Sequence, residues 1–403
     1  MADKLEDLFE KYIRESPIFV NHDVLSHDYI PDELPHRDEE ILRLGSVLAP
    51  SLRGMKCSNL FIYGKTGTGK TAVTKYVLKR LLKKSEEIGG RVKVCYVNCR
   101  VAGTEYRVVS ALCSSIGVNI PFTGLSTAEA LDRFKNGLEN SNSYLIIFLD
   151  EIDVLVKGYG DRLLYELTRI NERLKNGRVV IVGISNDLYF KELLDPRVLS
   201  SLSEEEMVFK PYTADQIRDI LLQRAKMAFR PDAISPSIIS LCAALAASEH
   251  GDARRALDLL RVAGEIAERN GESRVTEEHV REAQRKIEHD RVMEALNSLP
   301  LHSKIILYVL YRGENPDKKG FTTGEIYEKY VEVCSQLGVE SLTPRRVSGL
   351  LSELDMLGVV EAQIVNLGRY GRTKKIKVKI PKTFLEKTFL GDPYLGSFLR
   401  SEN

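Results

Sequence analysis

One short segment, Gly64–Thr71, restricts the fold of this chain more than any other. Its sequence, GKTGTGKT, fits the pattern G-x-x-x-x-G-K-[ST] and lies between an apolar run and a helix-like run. Glycines let the backbone approach a phosphate closely, and successive amide N–H groups bind that phosphate together with the positive end of the following helix. The segment therefore predicts a strand, a phosphate-binding loop and a helix, in that order.

Two side chains of this loop have specific expected roles. Lys70 is expected to place a positive charge against the β- and γ-phosphates of ATP or ADP, and the Thr71 hydroxyl is expected to ligate Mg²⁺. The remaining loop residues are expected to bind the nucleotide mainly through their backbone: Gly64, Lys65, Thr66, Gly67, Thr68 and Gly69. The alternative is a glycine-rich turn with an adjacent lysine, which the flanking strand and helix patterns disfavour.

A second motif is the apolar run Leu145–Leu149, which Asp150 and Glu151 follow directly. A buried strand of this kind presents carboxylates at its C-terminal end, where parallel α/β sheets bind ligands. Asp150 is expected to hold Mg²⁺, and Glu151 to polarise a water molecule for attack in line with the γ-phosphate. Taken alone, the run could equally be a strand that ends in two solvated acids with no catalytic role. Its position after Gly64–Thr71 favours catalysis.

A third apolar run, Ile181–Ser185, ends at Asn186. An asparagine at this edge of the sheet could orient the attacking water by hydrogen bonding. The same residue could instead cap a helix over Asp187–Leu193. Both interpretations remain open from the residues alone.

Two arginines are candidates for contacting the γ-phosphate. Arg197, in the sequence Asp195-Pro196-Arg197, could reach the nucleotide of a neighbouring subunit, or could form a surface ion pair with Asp195 or Glu192. Arg254 lies at the start of a predicted helix, within Gly251–Leu257. It could report whether ATP or ADP is bound, or it could be a solvated charge at a helix start.

The order of the predicted elements indicates three domains. Up to about residue 211, apolar runs alternate with helical patterns, which predicts an α/β domain with a parallel sheet flanked by helices. Residues 212–288 show only helical patterns and predict an all-α domain. Residues 289–403 combine helices with two closing strands, Val359–Val365 and Lys375–Ile380.

Composition narrows the class of protein. Lys and Arg number 58 and Asp and Glu 57, so a nucleic-acid site has to be local. The charged N-terminus and the lack of a long apolar run predict no signal peptide and no membrane partner. The cysteines are scattered without C-x-x-C spacing, which predicts reduced thiols in an intracellular protein: Cys57, Cys95, Cys99, Cys113, Cys242 and Cys334.

Taken together, the motifs resemble those of a known family. In chain order they are Pro35–Glu39, Gly64–Thr71, Leu145–Asp153, Ser185-Asn186, Asp195–Val198 and Gly251–Asp258. This order resembles the AAA+ ATPases, and among them the archaeal replication initiators of the origin-recognition (ORC/Cdc) family. The resemblance covers nearly the whole chain, and Gly251–Asp258 is its most family-specific part.

The resemblance implies an AAA+ base, an all-α lid and a C-terminal winged helix. It implies that Asn186 and Arg254 are the first and second sensors, and that the segment Tyr29–Glu39 flanks the adenine. Tyr212 is expected to join the nucleotide-binding residues. An insertion within about Ala102–Thr123 would touch DNA. The chain has Ser201 where related complexes often carry a second arginine beyond the Arg197 position.

The C-terminal region contains a candidate recognition helix. It starts at Thr343-Pro344, with Thr as the N-cap and Pro in the first turn. Arg345, Arg346 and Ser348 lie at its N-terminal end, where a recognition helix meets bases and phosphates. The sequence therefore predicts that these side chains contact DNA.

A predicted two-stranded ribbon follows, rich in basic residues and without an acid from Ile364 to Lys382. Its expected DNA contacts are Arg369, Tyr370, Arg372, Lys374 and Lys375. The alternative is an edge strand that lysines protect from aggregation. That alternative accounts for the lysines but not for the two arginines, Arg369 and Arg372, that stand around glycines at the tip.

These features lead to one functional hypothesis. The protein is expected to bind duplex origin DNA and, as the resemblance implies, to help recruit the MCM helicase, with slow ATP hydrolysis as a switch. Other copies or paralogues of the initiator are further expected partners, and the expected location is the chromosome in the cytoplasm of an archaeal cell. The alternatives are a signalling ATPase that uses its winged helix for protein contacts, and a transcription regulator.

Overall fold

The protein is described by a computed structural model that covers residues 16–249, 251–313, 320–366 and 372–402. The chain divides into two compact units, one up to Ala283 and one from Gln284 onward. Each unit has its own hydrophobic core, and each is described here by itself.

The first unit contains one sheet of parallel strands in the order β2-β3-β4-β1-β5. The strands are β1 (Leu60–Tyr63), β2 (Val92–Asn98), β3 (Tyr144–Asp150), β4 (Arg178–Ser185) and β5 (Glu205–Val208). The crossover order confirms the predicted parallel α/β domain, and it aligns the C-terminal ends of β1, β3 and β4 at one edge of the sheet.

Helices cover both faces of this sheet. They are α1 (Asp38–Leu48), α2 (Lys70–Glu87), α3 (Cys99–Ala102), α4 (Glu105–Ser115), α5 (Thr127–Ser141), α6 (Ile152–Tyr159), α7 (Arg162–Thr168), α8 (Ile170–Arg173) and α9 (Pro196–Leu202). Alternate residues of β3 point to opposite faces, so Ile147 packs with α4 and α5 whereas Ile146 packs with α1 and α2. Burial on both faces explains why this strand is apolar throughout.

One helix predicted from the sequence is interrupted. The helical pattern near Asp161–Lys175 predicts a single helix, but α7 ends at Thr168 and α8 starts at Ile170. Asn171 explains the break, because its side chain exchanges two hydrogen bonds with the backbone of Val179 at 2.7 and 2.9 Å. This tertiary contact outweighs the local preference for one continuous helix.

A helical region, the lid, completes the first unit. It contains α10 (Ala214–Ala228), α11 (Pro236–Ser248), α12 (Ala253–Arg269) and the start of α13 (Glu277–Ser298). Within the described residues the lid contains no strand, apart from one isolated bridge between Phe19 and Phe229. The helix α13 runs without interruption through residue 288, where the sequence suggested a domain boundary.

The second unit has the arrangement of a winged helix. Its helices are α14 (Leu301–Gly313), α15 (Thr323–Leu337), α16 (Pro344–Met356), α17 (Lys382–Gly391) and α18 (Leu395–Glu402). Its strands are β6 (Phe321–Thr322), β7 (Val360–Asn366) and β8 (Arg372–Val378), which pair antiparallel in the order β6-β8-β7. We call β7, β8 and their connection the wing. The short strand β6 and the two closing helices were not expected from the sequence.

Two general expectations can be compared with the structure. All six cysteines are free and buried. None of the helices in the described part of the chain is long and apolar enough to cross a membrane.

A largely buried ion pair in the second unit provides a test of its stability. Lys304 Nζ donates to Asp392 Oδ2 at 2.9 Å. Burial raises the pKa of Asp392, but the Lys304 ammonium and the backbone N–H groups of Leu395 and Tyr394 outweigh burial and hold this pKa below its ordinary value. The carboxylate therefore stabilises the fold above the unfolded pKa of about 3.9 and loses this effect as the pH falls through the folded pKa.

We expect Asp392→Asn to lower the free energy of unfolding of the second unit by about 2 kcal/mol at pH 7. Urea unfolding of the full chain should show this difference shrinking as the pH is lowered from 5 toward 3. Asp290→Asn, which changes an exposed carboxylate of the same unit, is the control and should have little effect. An equal loss of stability for both variants would contradict the assignment.

Candidate functional site

The phosphate-binding loop between β1 and α2 contacts two other parts of the first unit. These are Asp252 at the start of α12 and Tyr212, which precedes the lid. Gly67 has φ +70°, and a Cβ there would lie 1.7 Å from Asp252 Oδ1. Gly69 has φ +88°, and a Cβ there would lie 2.6 Å from the Tyr212 hydroxyl. Both positions therefore require glycine for backbone conformation and for space.

The Lys70 side chain is buried beneath this loop. Its Nζ donates to the carbonyl oxygens of Gly64 and Lys65, both at 2.7 Å. Burial lowers the pKa of Lys70 to about 8, and the nearby Asp150 carboxylate opposes this shift. The lysine thus lies in the loop that is expected to surround the phosphates, with its ammonium held by two carbonyls that a phosphate oxygen could replace.

The carboxylate of Asp150 lies beside Thr71, as the two motifs predict. Thr71 Oγ1 donates to Asp150 Oδ2 at 2.9 Å, and the backbone N–H of Glu151 donates to Oδ1 at 2.9 Å. The Tyr96 hydroxyl also bonds Oδ2. Sequence reasoning missed Tyr96, although its alternation with Asn98 on β2, next to β3, could have indicated it.

Glu151 lies directly after β3 in a left-handed conformation, with φ 53°. Its Oε2 accepts a hydrogen bond from Arg100 Nε at 2.5 Å. Arg100 belongs to the short helix α3, whose N-cap is Asn98. The sequence gave no signal for this ion pair, because the two residues meet only through the pairing of β2 with β3.

Asn186 lies in the same cavity as Asp150 and Glu151. The alternative role as a helix cap does not occur, because the short helix there starts at Phe190 and its N-cap is Tyr189. The residue before it, Ser185, is buried and donates to Asp153 Oδ1 at 2.9 Å. The end of β4 is thereby tied to α6.

The lid contributes Arg254 to this cavity from the first turn of α12. Asp252 caps that helix, since its Oδ1 accepts from the backbone N–H groups of Arg254 and Arg255 at 2.8 and 3.3 Å. The backbone N–H of Ala253 in turn donates to the Gly67 carbonyl at 3.2 Å. The phosphate-binding loop and the start of α12 are therefore in direct contact.

A buried arginine, Arg37, joins the parts of the site. Its guanidinium donates to the carbonyl oxygen of Thr68 at 3.1 and 2.9 Å and to that of Lys210 at 2.8 Å. It also forms an ion pair with Glu40 and lies 3.9 Å from the centroid of the Tyr212 ring. Tyr212 therefore lies at the site but is covered by Arg37. At the level of sequence, the segment Tyr29–Glu39, which contains Arg37, was expected only to flank the adenine.

These residues surround a cavity of about 370 Å³, large enough for a small ligand. Its lining includes Gly67, Gly69, Thr71, Asp150, Glu151, Asn186, Tyr212 and Arg254. The hydroxyl of Thr71 and the carboxylate of Asp150 are hard oxygen donors of the kind that Mg²⁺ prefers. Within the described residues no cluster of three or more His, Cys, Asp and Glu side chains could hold a metal. The adjacent oxygens of Thr71 and Asp150 fit Mg²⁺ that would take its remaining ligands from phosphate and water.

Arg197 lies outside this cavity. It forms an ion pair with Asp195, which was one of the two roles considered for it. Its Nε and Nη2 donate to the two oxygens of Asp195 at 3.0 and 3.1 Å. The guanidinium also lies 5.6 Å from the centroid of the Tyr165 ring. In the single chain it is thus paired with its neighbour, and its role toward a second subunit stays a prediction.

The candidate recognition helix α16 begins as predicted. The Thr343 side chain accepts from the backbone N–H of Arg346 at 3.4 Å, and Pro344 occupies the first turn. Arg345 and Arg346 are exposed, and Ser348 is half-buried. The apolar side of the helix packs into the core of the second unit, so its two arginines remain available to a ligand.

The wing presents basic side chains on its described part. Lys374 Nζ donates to Ser352 Oγ of α16 at 3.0 Å, and Lys375 is half-buried. Because β8 pairs with β6 at Lys375 and with β7 on its other side, protection of an edge strand does not explain this lysine. Arg369 and Tyr370 lie outside the described residues. Arg372 is described only as the first residue of β8.

The predicted insertion, about Ala102–Thr123, contains α4 and the loop that follows it. Phe122 is 75% exposed in this loop, and the Arg107 guanidinium lies 5.4 Å from the centroid of its ring. The segment therefore places a cation and an aromatic ring together on the surface.

Three family models match successive parts of the chain. Residues 53–190 match an AAA domain, residues 218–285 match the Cdc6 AAA+ ATPase-type lid domain, and residues 294–388 match the CDC6 C-terminal winged helix domain. An ORC1-type DNA replication protein of Pyrococcus furiosus is 51% identical, over 99% of this chain and 97% of that protein. The chain belongs to the ORC1-type DNA replication proteins.

Other relatives agree with this assignment. The ORC1-type DNA replication protein 1 of Methanosarcina acetivorans is 51% identical, over 97% of this chain and 95% of that protein. Among solved structures, the Aeropyrum pernix ORC1 protein in complex with DNA is similar to this chain, with 52% sequence identity and a TM-score of 0.87. The match covers 96% of this chain and 100% of that one. Family membership confirms the AAA+ base, the helical lid and the winged helix. It places the protein among replication initiators rather than signalling ATPases.

Proposed function

We propose that this protein is an ATP-dependent replication initiator that binds duplex origin DNA, hydrolyses ATP slowly as a switch and helps recruit the MCM helicase. One observation carries the ATP part of the proposal. Residues from separate parts of the chain, including Thr71, Asp150, Asn186 and Arg254, line one cavity beside the glycine-rich loop. The buried Lys70 adds a cation that donates hydrogen bonds to two loop carbonyls.

The chain's own residues suggest how ATP is bound. The N–H groups of Gly64–Thr71 and the start of α2 bind the phosphates, while Lys70 exchanges its two carbonyl acceptors for phosphate oxygens. Arg254 approaches from the lid, so the distance between lid and base depends on whether a γ-phosphate is present. Nucleotide state can thereby be transmitted to α12.

Hydrolysis requires a positioned water molecule and a proton acceptor. Mg²⁺ held by Thr71 and Asp150 would neutralise charge on the β- and γ-phosphates. Glu151 accepts the proton of the attacking water, and Asn186 orients that water. The Arg100 guanidinium bonds one oxygen of Glu151, which is consistent with slow hydrolysis.

DNA binding is supported by the exposed cations of the second unit. Arg345 and Arg346 occupy the start of α16, where a recognition helix contacts the major groove. The wing, with Lys375 and, in the part that is not described, Arg369 and Tyr370, would follow phosphates or enter a minor groove. The Aeropyrum pernix ORC1 protein, which is similar over nearly the whole chain, forms a complex with DNA.

Further partners follow from the same proposal. Phe122 and Arg107 supply a second contact to DNA from the base. Arg197 acts on the nucleotide of another initiator copy when it leaves Asp195. On this proposal the protein works at the chromosome.

The proposal is tested by measuring affinity for duplex origin DNA as a function of salt. We expect the logarithm of the association constant to fall linearly with the logarithm of salt concentration, because phosphate contacts release counterions. Arg345→Ala, Arg346→Ala and Lys375→Ala should each reduce the slope by about one if the residue contacts a phosphate.

Lys387→Ala is the matched control, because Lys387 is an exposed cation of the same unit on α17. Its slope should equal that of the unaltered protein. If none of the three variants changes either affinity or slope, or if the protein does not bind duplex DNA at low salt, the DNA-binding part of the proposal is wrong.

A further inference from the structure

A segment that precedes α1 covers one side of the cavity. We call residues 16–36 the strap. It contributes cavity-lining residues in a nearly continuous row: Ser26, His27, Asp28, Tyr29, Ile30, Pro31, Leu34 and Pro35. Its last residue, His36, has φ 60°, after which Arg37 bonds the phosphate-binding loop.

The first part of the strap is attached to the lid. The backbone N–H of Val20 donates to the Ala228 carbonyl, and the N–H of Arg230 donates to the Ile18 carbonyl, both at 2.8 Å. The rings of Phe19 and Phe229 pack with their centroids 4.9 Å apart. This end of the strap therefore moves with α10.

The last part of the strap contacts the base as well as the lid, where Gln223 Nε2 donates to the Glu33 carbonyl at 3.4 Å. Leu34 packs against the core cluster that contains α1 and α2, and the carbonyl of Asp32 accepts from Arg80 at 3.4 Å. The strap thus spans the cavity from lid to base. A ligand that fills the cavity can leave on this side only if the strap separates from one of them.

Arg224 on α10 holds the middle of the strap. Its side chain is 6% exposed, with Nη1 donating to the Val24 carbonyl and Nη2 to the Tyr29 carbonyl, both at 3.0 Å. The guanidinium also lies 4.8 Å from the centroid of the Tyr29 ring. Hydrogen bonds from a buried cation are among the stronger ones in proteins, so this contact is costly to break.

Three exposed ion pairs lie along the contact between the strap and the lid. In each, a strap histidine contacts an acid of the lid: His22 with Glu265 at 3.1 Å, His27 with Asp258 at 3.0 Å and His36 with Asp219 at 3.0 Å. A single ion pair of this exposure contributes little to stability. All three connect the strap to α10 or α12, and none connects it to the base.

We propose that Arg224 is a positioning residue that closes the strap on the lid and thereby sets how fast a bound nucleotide leaves. This inference rests on the proposed nucleotide site. Arg224 borders the cavity, but its described hydrogen bonds go to carbonyls of the strap and join two parts of the protein. Their loss therefore speeds entry and exit together, whereas loss of a ligand contact speeds exit alone.

The test is the kinetics of a fluorescent ADP, mant-ADP, with the full-length chain. For Arg224→Met we expect both the dissociation and the association rate constants to rise about tenfold or more, with Kd changed by no more than about threefold. Lys226→Met, which removes an exposed cation two residues further along α10, is the control and should leave both rates unchanged.

A second variant covers the case in which Arg224→Met does not fold. The triple change His22→Gln, His27→Gln and His36→Gln alters only exposed or half-exposed side chains, and both rates should rise about threefold. Thermal melting establishes that each variant is folded.

The possible outcomes separate this inference from the proposed function. If the unaltered protein does not bind mant-ADP, the nucleotide site itself is wrong. If it binds but folded variants keep its rates, or if only dissociation is faster, the role assigned to Arg224 is wrong.

Discussion

A Glu151→Gln variant is expected to bind ATP with nearly unchanged affinity and to hydrolyse it about 10²- to 10⁴-fold more slowly. Glutamine keeps the size of the side chain and can still accept a hydrogen bond from Arg100, but it cannot take a proton from the attacking water. The residue lies at the end of β3, beside the carboxylate of Asp150 that Thr71 bonds. Phosphate release under single-turnover conditions, together with equilibrium binding of ATP, measures both quantities.

Glu166→Gln is a suitable control for this prediction. Glu166 lies on α7, where it pairs with Arg173 at 2.9 Å outside the nucleotide cavity. The chemical change is the same, so hydrolysis should stay at the rate of the unaltered protein. If Glu151→Gln hydrolyses ATP as fast as this control, another group is the general base.

An Arg37→Met variant is expected to lose about 3 kcal/mol or more of the free energy of unfolding of the first unit. Arg37 is 5% exposed and satisfies the carbonyls of Thr68 and Lys210, which the variant would leave without this donor. Methionine retains part of the packing against the Tyr212 ring, so the loss reports mainly the polar contacts. Because Thr68 belongs to the phosphate-binding loop, ATP affinity should fall together with stability.

Arg43→Met provides the comparison for this effect. Arg43 lies on α1, which Arg37 directly precedes, but its side chain is 52% exposed and its partner Glu205 is 3.4 Å away. Exposed pairs of this kind contribute at most about 1 kcal/mol. Denaturant unfolding of the full chain, measured at the transition that belongs to the first unit, distinguishes the two variants. Similar losses for both would show that the contacts of Arg37 are not stabilising.

Much of the nucleotide site could be predicted because its chemistry is local. Gly64–Thr71 and Leu145–Glu151 carry their own flanking strand and helix patterns, and a parallel sheet brings the ends of its strands to one edge. The contact between Thr71 and Asp150 follows from these two facts. The DNA-binding roles of Arg345 and Arg346 and the trans role of Arg197 remain predictions.

Other parts of the site depend on which strands are neighbours. Tyr96 and Arg100 reach Asp150 and Glu151 because β2 pairs with β3, and no local pattern specifies that order. The interruption between α7 and α8 has a similar origin. Asn171 is compatible with a helix, but its side chain satisfies the backbone of β4 instead.

The amino-acid sequence by itself determined the phosphate-binding loop, the carboxylates at the end of β3, the parallel sheet and the helix that presents Arg345, because each depends on residues close together in the chain. Only the tertiary structure decided that Arg37 joins the loop to the carbonyl of Lys210, and that Arg224 bonds the strap from the lid. These contacts connect positions far apart in sequence. Their partners are backbone carbonyls, which every residue carries and which therefore leave no trace in the order of side chains.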